Sequence, residues 1–179
     1  GDITMPQLRT LADKAFAGWT GAPAAAASMP APPTRTAAEI LLVHRPGSVQ
    51  SNIVAGHLAV GPADSSRLAA SIVTNILGGG ADARLFMILR EQKGWTYGAY
   101  ARLTRPRGTG RFEATAEVRT EVTDSALVEL LAQLARITAE PIGAPEYEAK
   151  RNAMVGSFPL SIETPQALAE RVATVQLYG

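Results

Sequence analysis

The residues best suited to metal or nucleophilic chemistry are few. The chain has two histidines, His44 and His57, and neither belongs to an H-x-x-E-H or H-E-x-x-H pattern, in which one helix presents two ligands to zinc. Cysteine is absent, which excludes thiolate zinc sites, disulfides and cysteine nucleophiles. We therefore predict that the chain alone binds no stoichiometric zinc and cleaves no peptide, and that both histidines lie in a sheet or at its edge.

Two other kinds of site have little support. No histidine lies near Ser65, Ser66 or Ser71 in the sequence, so a nucleophilic triad has no recognisable signal. The glycines at 78–80 lack the lysine and the serine or threonine of a phosphate-binding loop. A break between two helices is therefore a better interpretation of these glycines than an anion site.

Length and composition favour one soluble domain. The chain has 179 residues, of which 46% are hydrophobic, and no apolar run approaches the roughly 20 residues of a membrane span. A formal net charge of +1 gives no general attraction to nucleic acid. The one local exception is a cluster of arginines that lacks interleaved aromatic residues: Arg102, Arg105, Arg107 and Arg111. The sequence leaves the compartment open between cytoplasm and periplasm.

The N-terminal third divides into an arm and the start of a domain. Thr4 can cap a first helix, and the alanine- and proline-rich run from Gly21 to Thr34 favours an extended arm. We place the arm at residues 1–34 and the domain proper at 35–179. The apolar runs Ile40–Val43 and Ser51–Val60 then predict two well-buried strands that pair with each other.

Two helices and a hairpin should follow. Asp64 is predicted to cap a helix that ends at Gly78, and Asp82 to cap a second helix that ends at Gly94. Their inward-facing residues are predicted to be Leu68, Ile72, Val73 and Ile76 in the first, and Leu85, Phe86, Ile88 and Leu89 in the second. Tyr97–Thr104 and Gly110–Thr120 predict an antiparallel hairpin whose alternating residues Phe112, Ala114, Ala116 and Val118 lie under the helices.

Three more helices complete the chain. They should start near Thr123, Pro145 and Pro165, and the last should turn Leu168, Val172 and Val175 inward. The order of elements predicts an α+β fold, in which an antiparallel-rich mixed sheet has helices packed on one face.

The stretch from Leu77 to Gly98, LGGGADARLFMILREQKGWTYG, resembles the motif "LGGG…SRLF..LRE..G..Y" of pitrilysin-like (inverzincin) zinc metallopeptidases, in their zinc-less C-terminal domain. The start Gly1-Asp2-Ile3-Thr4, the segment Gly47–Ser51 and the ending Glu163–Gly179 also fit this family. The resemblance covers nearly the whole chain, although Ala83 stands where serine is commoner.

The resemblance implies that this chain is one half of a clamshell and that a homologous partner domain carries the zinc, on the same longer chain or in a separate subunit. It also implies a peptide substrate. In that family the zinc-less domain supplies an arginine and, seven residues later, a tyrosine that reach the scissile peptide. Here the matching residues are Arg90 and Tyr97.

The residues themselves are compatible with that role. Arg90 lies in a predicted last helical turn and Tyr97 begins the next strand, so one tight turn can bring a cation and a phenol to the same place, where they could stabilise an oxyanion. Alternatively, Arg90 complements the helix dipole and Tyr97 is an ordinary strand aromatic. Arg84, in a first helical turn, pairs with an acid or contacts substrate, and Trp95 belongs to the core or faces substrate.

Two further functions remain as alternatives. One is a purely structural or assembly module derived from this peptidase family, against which the presence of both Arg90 and Tyr97 argues. The other is nucleic-acid binding through the hairpin arginines, which is the weakest of the three.

Overall fold

The computed structural model of the protein describes residues 2–22, 30–61, 64–104 and 108–178. The helices are α1 (Met5–Phe16), α2 (Arg67–Gly78), α3 (Arg84–Phe86), α4 (Thr123–Ala139), α5 (Ala144–Leu160) and α6 (Pro165–Tyr178). The strands are β1 (Gln50–Ala59), β2 (Thr96–Thr104) and β3 (Gly110–Arg119). A π-helical segment, Met87–Gln92, continues α3, and a short 3-10 turn, Thr120–Val122, precedes α4.

The sheet has the order β1-β3-β2, and both of its ladders are antiparallel. This confirms the predicted hairpin of β2 and β3. It also confirms the register, because Ala114, Ala116 and Val118 are buried and Phe112 is partly buried against the core, whereas Arg111 and Glu117 are exposed. Strict alternation along β3 therefore gives the sheet one face toward the helices and one open face.

The helical layer packs on one face of the sheet, as predicted for the α+β fold. The core joins residues of all three strands to α2, α3, the π-helical segment and α4. Its fully buried members include Leu77, Leu85, Leu89, Val118 and Leu130. At Gly78, α2 approaches β2 so closely that a Cβ would lie 2.0 Å from the amide nitrogen of Ala101. Glycine is required at this position because any side chain would meet backbone.

The capping predictions have mixed outcomes. Thr4 forms a capping box with Gln7 at the start of α1, and the hydroxyl of Thr164 accepts a hydrogen bond from the Ala167 amide (3.1 Å) at the start of α6. Asp64 precedes α2 and accepts hydrogen bonds from Ser66, so the helix starts slightly later than predicted. Asp82 is not a cap: α3 begins after Ala83, and the Asp82 carboxylate binds Lys150.

The prediction that Ile40–Val43 is a buried strand paired with the next one is wrong. These four side chains are 79–87% exposed, and β1 pairs with β3. β1 itself is buried on one side only, because Val54 and Leu58 are exposed. Apolar composition measures a tendency toward burial, but it does not show which strand provides the ladder partner.

Some predicted inward-facing residues are exposed, and part of the predicted arm lies outside the described residues. In α2 the prediction holds for Ile76, which is fully buried, and partly for Ile72 and Val73, which are half-buried, but it is wrong for Leu68, which is exposed. The helix also buries Ser71, Thr74 and Leu77, which were not predicted. In α6 the predicted inward residues Leu168, Val172 and Val175 are all exposed. Of the predicted arm, residues 23–29 lie outside the described residues, and the boundary between residues 34 and 35 stays a prediction. Within the described ranges, every helix is too short or too polar to cross a membrane.

Candidate functional site

Two arginines mark the two ends of the helical segment 84–92, and their surroundings differ. At its start, the Arg84 side chain is 14% exposed and forms a two-pronged ion pair with Glu146 of α5. Nε donates to Oε1 (2.8 Å) and Nη2 donates to Oε2 (2.6 Å). Lys150, one helical turn further along α5, binds Asp82. Two ion pairs therefore hold α5 against the start of α3.

Both ion pairs change the titration of their carboxyl groups. The hydrogen bonds from Arg84 hold the pKa of Glu146 below its ordinary value, and the hydrogen bond from Lys150 does the same to the pKa of Asp82. In return, the carboxylate of Glu146 raises the pKa of Arg84. Because an opposite charge stabilises each charged form, these groups stay ionised at neutral pH.

The other end of the segment is irregular. The amide of Lys93 donates to the carbonyl of Ile88 (3.1 Å), five residues back, which is the hydrogen bond of a π-helix. Gly94 then adopts a left-handed φ of 62° and ends the helix, with its amide bonded to the carbonyl of Arg90 (3.0 Å). Such single π-turns add a residue to a helix and often occur at functional sites. Arg90 lies within this widened turn.

The first residues of β2 contain a β-bulge. Thr96 pairs with Val118 and Ala99 pairs with Ala116, so Tyr97 and Gly98 together face the single residue Glu117. Without the bulge, Tyr97 would share the helix-facing side with Ala99. With the extra residue, Tyr97 lies on the open face and is 83% exposed.

Arg90 and Tyr97 are in direct contact. The Arg90 Nη1 donates to the backbone carbonyl of Tyr97 (2.7 Å), and the guanidinium lies 4.9 Å from the centre of the Phe86 ring. The Arg90 side chain is 45% exposed. A guanidinium has five N–H donors, so the contact with the Tyr97 carbonyl leaves others for a ligand.

The open face around Tyr97 is concave. Tyr97 lies at the junction of two shallow concavities of about 530 and 300 Å³. The larger one is lined by residues of all three strands, which include the polar residues Gln50, Asn52 and Thr115, the aromatic residue Tyr100 and the acidic residue Glu117. The hydroxyl of Tyr100 lies beside Gly98, where a Cβ would be only 2.6 Å away. The missing side chain at Gly98 thus makes room for a second phenol on this face.

The predicted site residues separate into two groups. Arg90 contacts Tyr97 through the Tyr97 backbone carbonyl and lines neither concavity, whereas the Tyr97 side chain lies on the open face. Arg84 is engaged by Glu146, which was one of its two predicted alternatives. Trp95 packs against the core, which was one of its two alternatives, and it also lines the smaller concavity. Contact of Trp95 with substrate stays a prediction.

The remaining candidates lie elsewhere. His57 lies in the edge strand β1, as predicted, and stacks on Phe112 with ring centres 5.3 Å apart. The same prediction is wrong for His44, which lies outside the three strands; both histidines are exposed. Among the described residues, no cluster of three or more histidines and carboxylates could hold a metal ion, so the donor set for zinc does not fit this part of the chain. Of the arginine cluster, Arg105 and Arg107 lie outside the described residues, and Arg111 pairs with Glu113 (2.9 Å).

Sequence reasoning missed several residues of this site. No local sequence pattern pointed to Glu146, Lys150 or Tyr100. Glu146 and Lys150 bind residues that are distant in the sequence, and Tyr100 lies beside Gly98, two residues earlier on the same strand. The bulge had one signal: Gly98 lies inside a strand, where glycine often marks a bulge.

Comparison with solved structures finds the same fold in bacterial proteases. The chain superposes on the peptidase M16 inactive domain from Pseudomonas fluorescens with a TM-score of 0.60 and 27% identity, covering 62% of this chain and 27% of that one. A protease from Helicobacter pylori gives a TM-score of 0.86 with 18% identity, covering 99% and 44%. The inactive peptidase domain of a Bordetella parapertussis protein described as a zinc protease gives 0.63 with 17% identity, covering 78% and 75%.

The chain thus spans less than half the length of the first two of these proteins. Among curated proteins, none matches. The family profile described as the peptidase M16 inactive domain matches residues 1–154. Because this match covers most of the chain, and because the fold agrees with solved members, the resemblance to pitrilysin-like peptidases is confirmed and the chain belongs to the peptidase M16 inactive-domain family.

Proposed function

We propose that this domain is the non-catalytic half of a zinc endopeptidase and supplies Arg90 and Tyr97 to a zinc site in a homologous partner domain. The observation that carries the proposal is the bulge at the start of β2, which turns the Tyr97 phenol outward while its carbonyl is held by Arg90. The names of the solved relatives support a proteolytic context, since they include a protein described as a zinc protease.

The chemistry assigned to this chain is binding and charge stabilisation. The Tyr97 hydroxyl and the N–H groups of Arg90 are hydrogen-bond donors, and they can bind a peptide carbonyl in the ground state. As the carbonyl oxygen becomes an oxyanion, the same donors bind it more strongly, which lowers the barrier. A zinc ion in the partner domain would supply the activated water.

The proposed substrate is a peptide. The larger concavity beside Tyr97 carries amide and hydroxyl groups from Gln50, Asn52 and Thr115, which suit the donors and acceptors of a peptide backbone. We retain Arg84 as a prediction for substrate contact, although its ion pair with Glu146 favours a role in holding α5.

The test is Tyr97→Phe in the complete enzyme, with this domain joined to its zinc domain in one polypeptide or as a separate subunit. Losing one oxyanion donor should lower kcat by about 10²–10³, whereas the melting temperature should stay near wild type because the ring remains. Tyr147→Phe, on α5, is the matched control and should leave kcat unchanged.

Near-wild-type turnover of Tyr97→Phe would contradict the proposal. The alternative, a structural or assembly module derived from the family, would then be the better explanation of the domain.

A further inference from the structure

The Thr96 side chain makes hydrogen-bond contacts with the bulge and with the strand opposite it. Its hydroxyl accepts a hydrogen bond from the Gly98 amide (3.1 Å) and lies 2.8 Å from the Gly98 carbonyl oxygen. It also contacts the carbonyl of Glu117, the β3 residue opposite the bulge. A hydroxyl has one proton, so it donates to one of these carbonyls at a time and accepts from the amide in either case.

These contacts link Thr96 to Gly98 within the bulge and to Glu117 on β3. A bulge interrupts the regular ladder, so its backbone groups need other partners. The Thr96 hydroxyl bonds to the amide and lies close to the carbonyl of Gly98, and the Arg90 guanidinium donates a hydrogen bond to the carbonyl of Tyr97. Thr96 pairs with Val118, is half-buried and lines the smaller concavity. Its hydroxyl is already engaged by backbone groups of Gly98 and Glu117, which favours a role in holding the backbone over a role as a substrate ligand.

We infer that Thr96 is a positioning residue: its hydroxyl holds the bulge that turns Tyr97 onto the open face, so that the Tyr97 phenol stays aimed at the reacting peptide carbonyl. This inference rests on the proposed function of Tyr97 and adds a residue that acts through it. Regular alternation is the competing arrangement of β2, and it would place Tyr97 on the side of Ala99, toward the helices.

The experiment is a double-mutant cycle in the complete enzyme. Thr96→Val keeps the shape of the side chain and removes the hydroxyl, and it should lower kcat about tenfold to a hundredfold, because small misplacements of a catalytic group have effects of that order. Thr96→Ser keeps the hydroxyl and should restore turnover to within about threefold of wild type. In a Tyr97→Phe background, Thr96→Val should lower kcat by less than about twofold more, because the group that it positions is already gone.

Two further readouts do not depend on turnover. Affinity of the zinc-free enzyme for a fluorescein-labelled peptide should change less than kcat in Thr96→Val, since the Tyr97 donor acts mainly in the transition state. Hydrogen exchange at the Gly98 amide, followed by mass spectrometry, should speed up in Thr96→Val but not in Thr96→Ser. If Thr96→Val does not fold, Thr96→Ala, which adds no bulk, replaces it throughout.

The outcomes separate the two proposals. Full turnover of Tyr97→Phe would overturn the proposed function, and the catalytic role of Thr96 with it. Loss of turnover in Tyr97→Phe combined with full turnover in Thr96→Val would overturn only the inference about Thr96. Equal losses from Thr96→Val in the wild-type and Tyr97→Phe backgrounds would also overturn it, because Thr96 would then act independently of the phenol.

Discussion

Arg84 and Arg90 lie on one short helical segment, yet the structure places them in opposite situations. The Arg84 end is bound by Glu146 and begins with the three α-helical residues Arg84–Phe86, and the Arg84 side chain is largely buried. The Arg90 end contains a π-turn, faces a bulged strand and leaves its guanidinium half-exposed beside Tyr97. We infer from the difference that the first end holds α5 in place, and the proposed function assigns the presentation of hydrogen-bond donors to the second. We expect substitutions at the two ends to affect different measurements.

The largest expected effect is that of Arg90→Ala on catalysis. In the complete enzyme it should lower kcat by about 10²–10³, equivalent to about 2.7–4 kcal/mol, if Arg90 acts as an oxyanion donor. The loss of its hydrogen bond to the Tyr97 carbonyl should lower the free energy of unfolding by only about 0.5–1.5 kcal/mol. Steady-state kinetics and thermal melting of the same sample measure both quantities.

Arg136→Ala is the matched control for Arg90→Ala. Arg136 lies on α4, exposed and paired with Glu140 (2.7 Å), so its removal should leave kcat unchanged. A loss of melting temperature in Arg90→Ala that accounts for all of the lost activity would show that both ends of the segment are structural.

Arg84→Ala should have an intermediate effect, on stability and not on chemistry. It removes a charged hydrogen-bonded pair and leaves Glu146 unpaired, which should lower the free energy of unfolding by about 1–3 kcal/mol. The low end of this range is expected because Glu146 is 36% exposed and water can solvate it. Denaturant titration measures the change, and kcat per folded molecule should stay near wild type. A selective fall in kcat would support the substrate-contact role of Arg84.

The smallest expected effect is on the free energy of unfolding at low pH. Because the pKa values of Glu146 and Asp82 are lower in the folded protein than in the unfolded chain, their stabilising contribution is complete above about pH 4.5. It is lost as the pH falls through the folded pKa values. The double variant Glu146→Gln with Asp82→Asn should therefore flatten the loss of stability below about pH 4.5, as measured by denaturant titration at several pH values. If the double variant loses as much stability below about pH 4.5 as the wild type does, other carboxylates are responsible for the loss at low pH.

Much of the central fold could be predicted from residue patterns. The alternation from Phe112 to Val118 predicted the strand, its register and its buried face, because side chains of a half-buried strand must alternate. The helix that starts at Thr123 begins where the sequence predicted, although no side chain caps it, and the turn at Gly94 follows from the left-handed backbone that glycine favours. The apolar face of α6 and the run Ile40–Val43 were misplaced because hydrophobicity does not specify a partner.

Residue types at fixed local spacing were enough to identify the family and the hairpin and to select Arg90 and Tyr97 as candidates. The direction in which Tyr97 faces and the ion-pair partner of Arg84 became known only from the folded chain. The first depends on one extra residue opposite Glu117, and the second depends on a carboxylate far along the chain in α5. Local spacing contains neither fact, since strand pairing and ion pairs between distant elements form only when the chain packs together.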